Sequence, residues 1–135
     1  MPTGPAIAIV DDDPSVRRAL GRLLSSEGFD TWTFASGAEL LVSPLSTTAA
    51  CFLLDVYLDG MSGFELCTRL REAGVYSPVV FISAHDNEET RTSARKLGTV
   101  PLVRKPFDAH SLIDAVHAAL SARRSAARGI RNGDT

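Results

Sequence analysis

Four short stretches of this 135-residue chain carry side chains able to do chemistry together. "IVDDDPS" sets Asp11, Asp12 and Asp13 in a row after an apolar run. "LLDVYLDGMSG", Leu53 to Gly63, ends another apolar run on Asp55. "FISAH" ends a third on Ser83, with His85 two residues further on. "LVRKPF" follows a weaker run with Lys105. A carboxylate at the mouth of a buried strand costs free energy unless a partner or a reaction keeps it there. Three acidic groups brought together raise one another's pKa unless a cation intervenes. Oxygen ligands without His or Cys favour Mg²⁺, which keeps several waters and takes one or two carboxylates plus a phosphate oxygen. A carboxylate can itself accept a phosphoryl group, giving an aspartyl phosphate. That transfer needs positioning and charge neutralisation, which Mg²⁺, the Lys105 ammonium and the Ser83 hydroxyl would supply.

The elements between these stretches must position them. "AIAIV" (Ala6 to Val10) is a fully apolar strand candidate. "DPSVRRALGRLLSSEG" follows, with Val16, Ala19, Leu20, Leu23 and Leu24 at helical spacing, Pro14 in the first turn and Gly28 just past the end. Aromatic and β-branched content makes "FDTWTFA" the second strand, with Trp32 expected in the core. Ser36 and Glu39 form a capping-box register that starts a short second helix. "CFLLD" is the third strand, and Ser62 with Glu65 caps the third helix, where Leu66 and Leu70 share a face. "PVVFIS" is the fourth strand. "DNEETRTSARKLG" is the fourth helix, with Asp86 and Glu89 as its start and Gly98 as its stop. "VPLVR" is the fifth strand; Pro101 cannot donate to a ladder, so this strand lies at an edge or starts late. The fifth helix is capped by Asp108 and turns Leu112, Ile113, Val116 and Leu120 inward.

Five β–α units with apolar rather than alternating strands imply a parallel sheet covered on both faces. In such doubly wound α/β sheets, ligands bind beyond the carboxyl ends of the strands. That rule collects Asp11, Asp12, Asp13, Asp55, Ser83 and Lys105 at one edge. Composition agrees with a single soluble domain: 44% hydrophobic, 22% charged, net charge −2. The charge balance gives no argument for nucleic acid or membrane. Cys51 and Cys67 form no CxxC motif and read as buried thiols in a reducing compartment. "MPTGPAIAIV" lacks a secretory signal, and no apolar run nears the roughly 20 residues of a membrane span. A cytoplasmic location is expected.

Taken together, "IAIVDDDPSVR", "LLDVYLDGMSGFEL", "FISAH" and "LVRKPF" resemble the receiver domain of bacterial two-component response regulators, of the type that often precedes a helix-turn-helix output domain. The resemblance covers about residues 5–121. It leaves residues 1–4 as a flexible N-terminus and residues 122–135, with Arg123, Arg124, Arg128 and Arg131, as a basic tail or linker. It implies a flavodoxin-like fold with strand order 2-1-3-4-5 and five helices. It implies Asp55 as phosphoacceptor for a sensor histidine kinase. Asp12, Asp55 and the Tyr57 backbone carbonyl would hold Mg²⁺, for which Mn²⁺ can substitute, with Asp11 acting through a metal-bound water. Lys105 would pair with Asp55 and then with the phosphoryl group, and Ser83 would swing inward to hydrogen-bond it. A cis Lys105–Pro106 bond is implied too. The domain would be no enzyme in the ordinary sense, but would catalyse its own phosphorylation and slow dephosphorylation. Its switch would act through residues 86–121, by homodimerisation or on an output domain that controls transcription. Contact with nucleic acid by this chain and association with a membrane are not expected.

Blander roles compete for several residues. Asp13 reads as the cap of the first helix. His85 and the Tyr57 side chain either tune water access to an acyl phosphate or are simply exposed. His110 and His117 read as helix-surface residues. Two positions depart from the family pattern: Leu102 replaces an aromatic residue three before the lysine, and Asp59 replaces a loop proline. Other classes fit less well. A haloacid-dehalogenase phosphatase needs a second Asp two residues after the nucleophile, where Tyr57 stands. A flavodoxin-like cofactor binder needs a phosphate cradle after strand one, where three carboxylates stand. The remaining alternative is a phosphorylation-independent binding module with a degenerate switch.

Overall fold

The computed structural model describes residues 4–85, 87–97 and 102–133, with side chains as far as Ala122. Five parallel strands form one sheet in the order β2-β1-β3-β4-β5: β1 Ala6–Val10, β2 Asp30–Phe34, β3 Cys51–Asp55, β4 Val79–Ser83 and β5 Leu102–Arg104. Helices α1 Pro14–Ser26, α2 Gly37–Leu41, α3 Leu45–Thr48, α4 Gly63–Glu72, α5 Glu88–Lys96 and α6 Ala109–Gly133 connect and follow them.

Side chains alternate across each strand, which divides the core in two. Ile7, Ile9, Leu53, Val80, Ile82 and Val103 pack with Leu20 and Leu24 of α1 and Leu112 and Val116 of α6. Ala8, Val10, Phe52, Leu54 and Phe81 face the other way, onto Leu40, Leu66 and Leu70. All five residues of β3 and of β4 are buried, as continuous apolar strands of a doubly covered parallel sheet require. Cys51 and Cys67 are buried thiols that fall in different halves of this core and form no disulfide.

Local chemistry sets the helix ends. The Asp13 carboxylate caps α1 by accepting from Ser15 N at 2.8 Å, and Pro14 costs no hydrogen bond in the first turn. Gly28, beyond the C-cap Glu27, takes φ +93°, which suits glycine. Ser36 and Ser62 cap α2 and α4 through Glu39 N and Glu65 N. Asp108 caps α6 through Ser111 N at 3.1 Å.

Four expectations need correction. The described residues contain six helices, not five: α3 is a single turn behind Pro44 with no side-chain cap, too short to leave an apolar period. Trp32 is 48% exposed, because β2 is an edge strand and α2 is only five residues long. Asn87, not Asp86, caps α5, accepting from Thr90 N at 2.8 Å. Ile113 is half-buried, while Leu112, Val116 and Leu120 are buried. Asp86, Gly98 and Pro101 lie outside the described residues. His110 and His117 are exposed on α6, the first beside Asp114 at 3.3 Å and the second against the Phe29 ring.

Candidate functional site: an acidic cluster bridged by one lysine

The strand alternation that divides the core also aims the site. Asp55 continues the Cys51, Leu53 face of β3; Asp11 and Lys105 continue the corresponding faces of β1 and β5, all on the α1–α6 side. Asp11 extends β1 by one residue through Asp11 N to Phe34 O, 3.2 Å, and Lys105 extends β5 through Lys105 N to Ser83 O, 2.8 Å. Three carboxyl-terminal strand ends therefore deliver their side chains to one place.

There the Lys105 ammonium lies 2.9 Å from Asp55 Oδ2 and 3.0 Å from Asp11 Oδ2. The first contact is a hydrogen bond. The second lacks hydrogen-bond alignment, so Asp11 Oδ2 is buried with charge compensation only. Asp11 Oδ1 accepts from Asp13 N at 2.9 Å, and Asp55 Oδ1 accepts from Tyr57 N at 3.1 Å. Asp11 is fully buried and Asp55 is 5% exposed. Burial pushes the Asp55 carboxyl above its ordinary pKa, and the Asp11 charge adds to this; hydrogen bonds from Lys105 and Tyr57 oppose the rise without cancelling it. Burial alone would lower Lys105, but hydrogen bonding to Asp55 and the adjoining Asp11 carboxylate carry it above its ordinary value.

Asp11, Asp12 and Asp55 each offer a carboxylate oxygen, and these oxygens lie within 4.8 Å of one another. Three carboxylates against one ammonium leave the cluster short of positive charge. Asp11 Oδ2, buried and without a hydrogen bond, keeps acceptor capacity that a cation could use. An all-oxygen set of this kind fits a hard divalent cation such as Mg²⁺. The pattern of residue types had already indicated the cluster.

Ser83 is buried, but its hydroxyl donates to His85 O at 2.9 Å and accepts from His85 N at 3.0 Å. The structure thus places it beside the cluster, at the end of β4, but engaged with its own loop. His85 meets Tyr57 edge to face, ring centroids 5.0 Å apart, across the loops that follow β4 and β3. Tyr57 is 53% exposed, and Asp59 is exposed. Lys105–Pro106 is cis, as the motif implies. Leu102 packs half-buried against the α2–α4 half of the core.

Two supporting residues were not singled out from the sequence. Gly63, the first residue of α4, donates to Val56 O at 2.9 Å, and a Cβ there would collide with the Asp55 carbonyl. Helix α4 can start this close to the end of β3 only on a glycine. Arg17 reaches from α1 to the Asp11 carbonyl at 2.8 Å. A cation so near a helix N-terminus runs against the helix dipole, and that was the available signal.

A doubly wound sheet with acidic residues and a lysine at its carboxyl edge defines a class, and comparison with known proteins gives the family. Residues 7–117 match the model of the response regulator receiver domain. The chain belongs to that family. It is 36% identical over 129 residues to nodulation protein W of Bradyrhizobium diazoefficiens, covering 93% of this chain and 57% of that protein. It is 37% identical over 121 residues to the transcriptional regulatory protein TdiR of Thauera aromatica, covering 90% and 53%. The crystal structure of NtrX from Brucella abortus superposes with TM-score 0.85 at 30% identity, over 93% of this chain and 29% of that one. The chain thus spans little more than half the length of the curated relatives it matches. It is a receiver domain homologous to two-component response regulators that control transcription. No described helix is long and apolar enough to cross a membrane.

Proposed function

We propose that this receiver takes a phosphoryl group on Asp55 from the phosphohistidine of a sensor kinase. The carrying observation is the Lys105 ammonium held between Asp55 and Asp11. An Asp55 carboxylate oxygen attacks phosphorus, the P–O bond forms and the P–N bond to the kinase imidazole breaks. Asp12, Asp55 and the Tyr57 carbonyl would hold Mg²⁺, or Mn²⁺ in its place, with Asp11 acting through water. The ion supplies charge that neutralises the phosphoryl oxygens in transfer. Lys105 releases Asp55 Oδ2 and pairs with a phosphoryl oxygen. Ser83 exchanges its bond to the His85 backbone for one to the phosphoryl group. Residues 5–121 form the receiver and residues 122–135 the tail or linker.

The new charge biases a two-state equilibrium read on the surface of residues 86–121. This includes the groove between β5 and α6 lined by Leu102, Arg104, Pro106, Ser111 and Asp114. The outcome is homodimerisation or control of an output domain, in the cytoplasm, without nucleic-acid contact by this chain. A merely degenerate binding module would have no use for the full set of Asp11, Asp12, Asp55, Ser83 and Lys105.

Intact mass after acetyl phosphate and Mg²⁺ tests the chemistry. One added phosphoryl group is expected on the wild type, and none on Asp55→Asn or in EDTA. Persistence of the adduct on Asp55→Asn would reject the assignment. Gel filtration with and without beryllofluoride tests the dimer, which an unchanged monomer elution volume would rule out.

A further inference from the structure

We infer that Arg17 is a positioning residue for the acidic loop, orienting Asp12 by fixing the peptide plane that joins it to Asp11. The inference rests on the reading of Asp11, Asp12 and Asp55 as a cation site. Asp11 is held at each of its polar groups. Its N–H donates to Phe34 O at 3.2 Å, its Oδ1 accepts from Asp13 N at 2.9 Å, and its Oδ2 lies by Lys105. Its carbonyl accepts from Arg17 Nη1 at 2.8 Å. That carbonyl shares one rigid plane with the N–H of Asp12. Clamping the oxygen therefore fixes the N–Cα bond of Asp12 and leaves its side chain one backbone rotation fewer. The backbone of Arg17 ties to the same loop, through Arg17 N to Asp13 O at 3.0 Å.

Charge gives the second reason. Arg17 is half-buried in the opening of α1, a helix with no acidic residue in its first turn. A cation there opposes the macrodipole, and the acidic run of Asp11, Asp12 and Asp13 just before the helix offsets that cost. Here the guanidinium brings a second positive charge towards a cluster of three carboxylates. It does so through the Asp11 carbonyl and engages none of the carboxylate oxygens. A guanidinium suits this task because it stays charged at every relevant pH and its donors are rigidly placed.

The test is a Mg²⁺ titration of the whole chain, followed by amide chemical shifts, on the wild type, Arg17→Met and Arg17→Lys. Urea unfolding in EDTA runs in parallel. Groups that orient metal ligands from outside the coordination shell typically contribute about 10–100-fold in affinity. The Mg²⁺ Kd of Arg17→Met should rise by about 10-fold, and that of Arg17→Lys by less. Phosphorylation by acetyl phosphate should slow at low Mg²⁺ and converge on the wild-type rate at saturation. A structural role alone would shift the urea midpoint and leave Kd in place; that result, or a Kd within about twofold of wild type, overturns the inference. Should Arg17→Met not fold, Arg17→Lys decides it by the same criterion. A wild type that binds no Mg²⁺ removes the metal reading and this inference together, whereas a wild type that binds it alongside an unaffected Arg17→Met removes this inference alone.

Discussion

Replacing Lys105 with methionine takes the ammonium away from two carboxylates that are nearly sealed from water. The Lys105 side chain is 22% exposed, against 1% for Asp11 and 6% for Asp55. Removing one partner of a buried pair typically costs about 3–5 kcal/mol, because the other charge is left uncompensated. The partial exposure of Lys105 places the loss near the lower end, about 3 kcal/mol. With a urea slope of about 2 kcal/mol/M, the unfolding midpoint should fall by about 1.5 M at about pH 8 in EDTA. The pH dependence carries the sharper test. Asp55 has its folded pKa raised, so its protonated form is favoured in the fold and the penalty for its charge is present above that pKa. Without Lys105 the carboxyl rises further, so the gap to wild type should narrow as pH falls through the Asp55 pKa. In the wild type, Lys105 contributes fully below its ordinary 10.5, and that contribution is lost only as pH climbs through its raised folded value. Mg²⁺ should recover part of the loss by adding charge to the same cluster. A midpoint shift below about 0.5 M, or a gap that does not narrow as the Asp55 carboxyl protonates, would refute the reasoning.

Three further outcomes follow from the same geometry. Asp55→Asn removes one of two buried carboxylates that compete for one ammonium, so in EDTA it should raise the thermal midpoint near neutral pH, and Mg²⁺ should then raise it less than in the wild type; calorimetry reads both. Gly63→Ala drives a Cβ into the Asp55 carbonyl, which should cost about 1–3 kcal/mol as overpacking does and weaken beryllofluoride binding, both measurable by urea unfolding with and without the analogue. Asp13→Ala deletes the α1 cap bonded to Ser15 N and frees nothing buried, so it should cost about 1 kcal/mol in urea unfolding.

How far the sequence led depended on the range of each interaction. The apolar runs and the capping pairs are local, and they placed β1, β3, β4 and α1, with the Ser62 cap, within a residue or two. Asp11, Asp55 and Lys105 were legible because a parallel sheet lines up the ends of its strands, so residues 50 apart in sequence could be read as neighbours. What escaped was set by surroundings. Trp32 has a core-forming composition, but it lies on an edge strand. The α3 turn is four residues long, less than any period needs. Asp and Asn are both good caps by residue type, and Asn87 is the cap of α5. The hydroxyl of Ser83 has a nearer partner in its own loop, which no spacing rule reveals. The partner of Arg17 is a backbone carbonyl six residues earlier, which no pattern of side-chain types specifies.

The order of the strands has a mechanical meaning. Asp55 ends β3, the middle strand, laddered on both sides and buried along its whole length. Lys105 follows β5, a three-residue edge strand bonded only to β4. The ion pair between them thus joins a strand laddered on both sides to one laddered on a single side. Any force exerted at the carboxylate meets an anvil on one side and a spring on the other. Local opening is least costly where ladder bonds are fewest, so strain introduced at the centre is relieved at the rim. Displacement of Lys105 will be taken up by β5 while β3 stays in register, as a hinge pin stays still while the door moves.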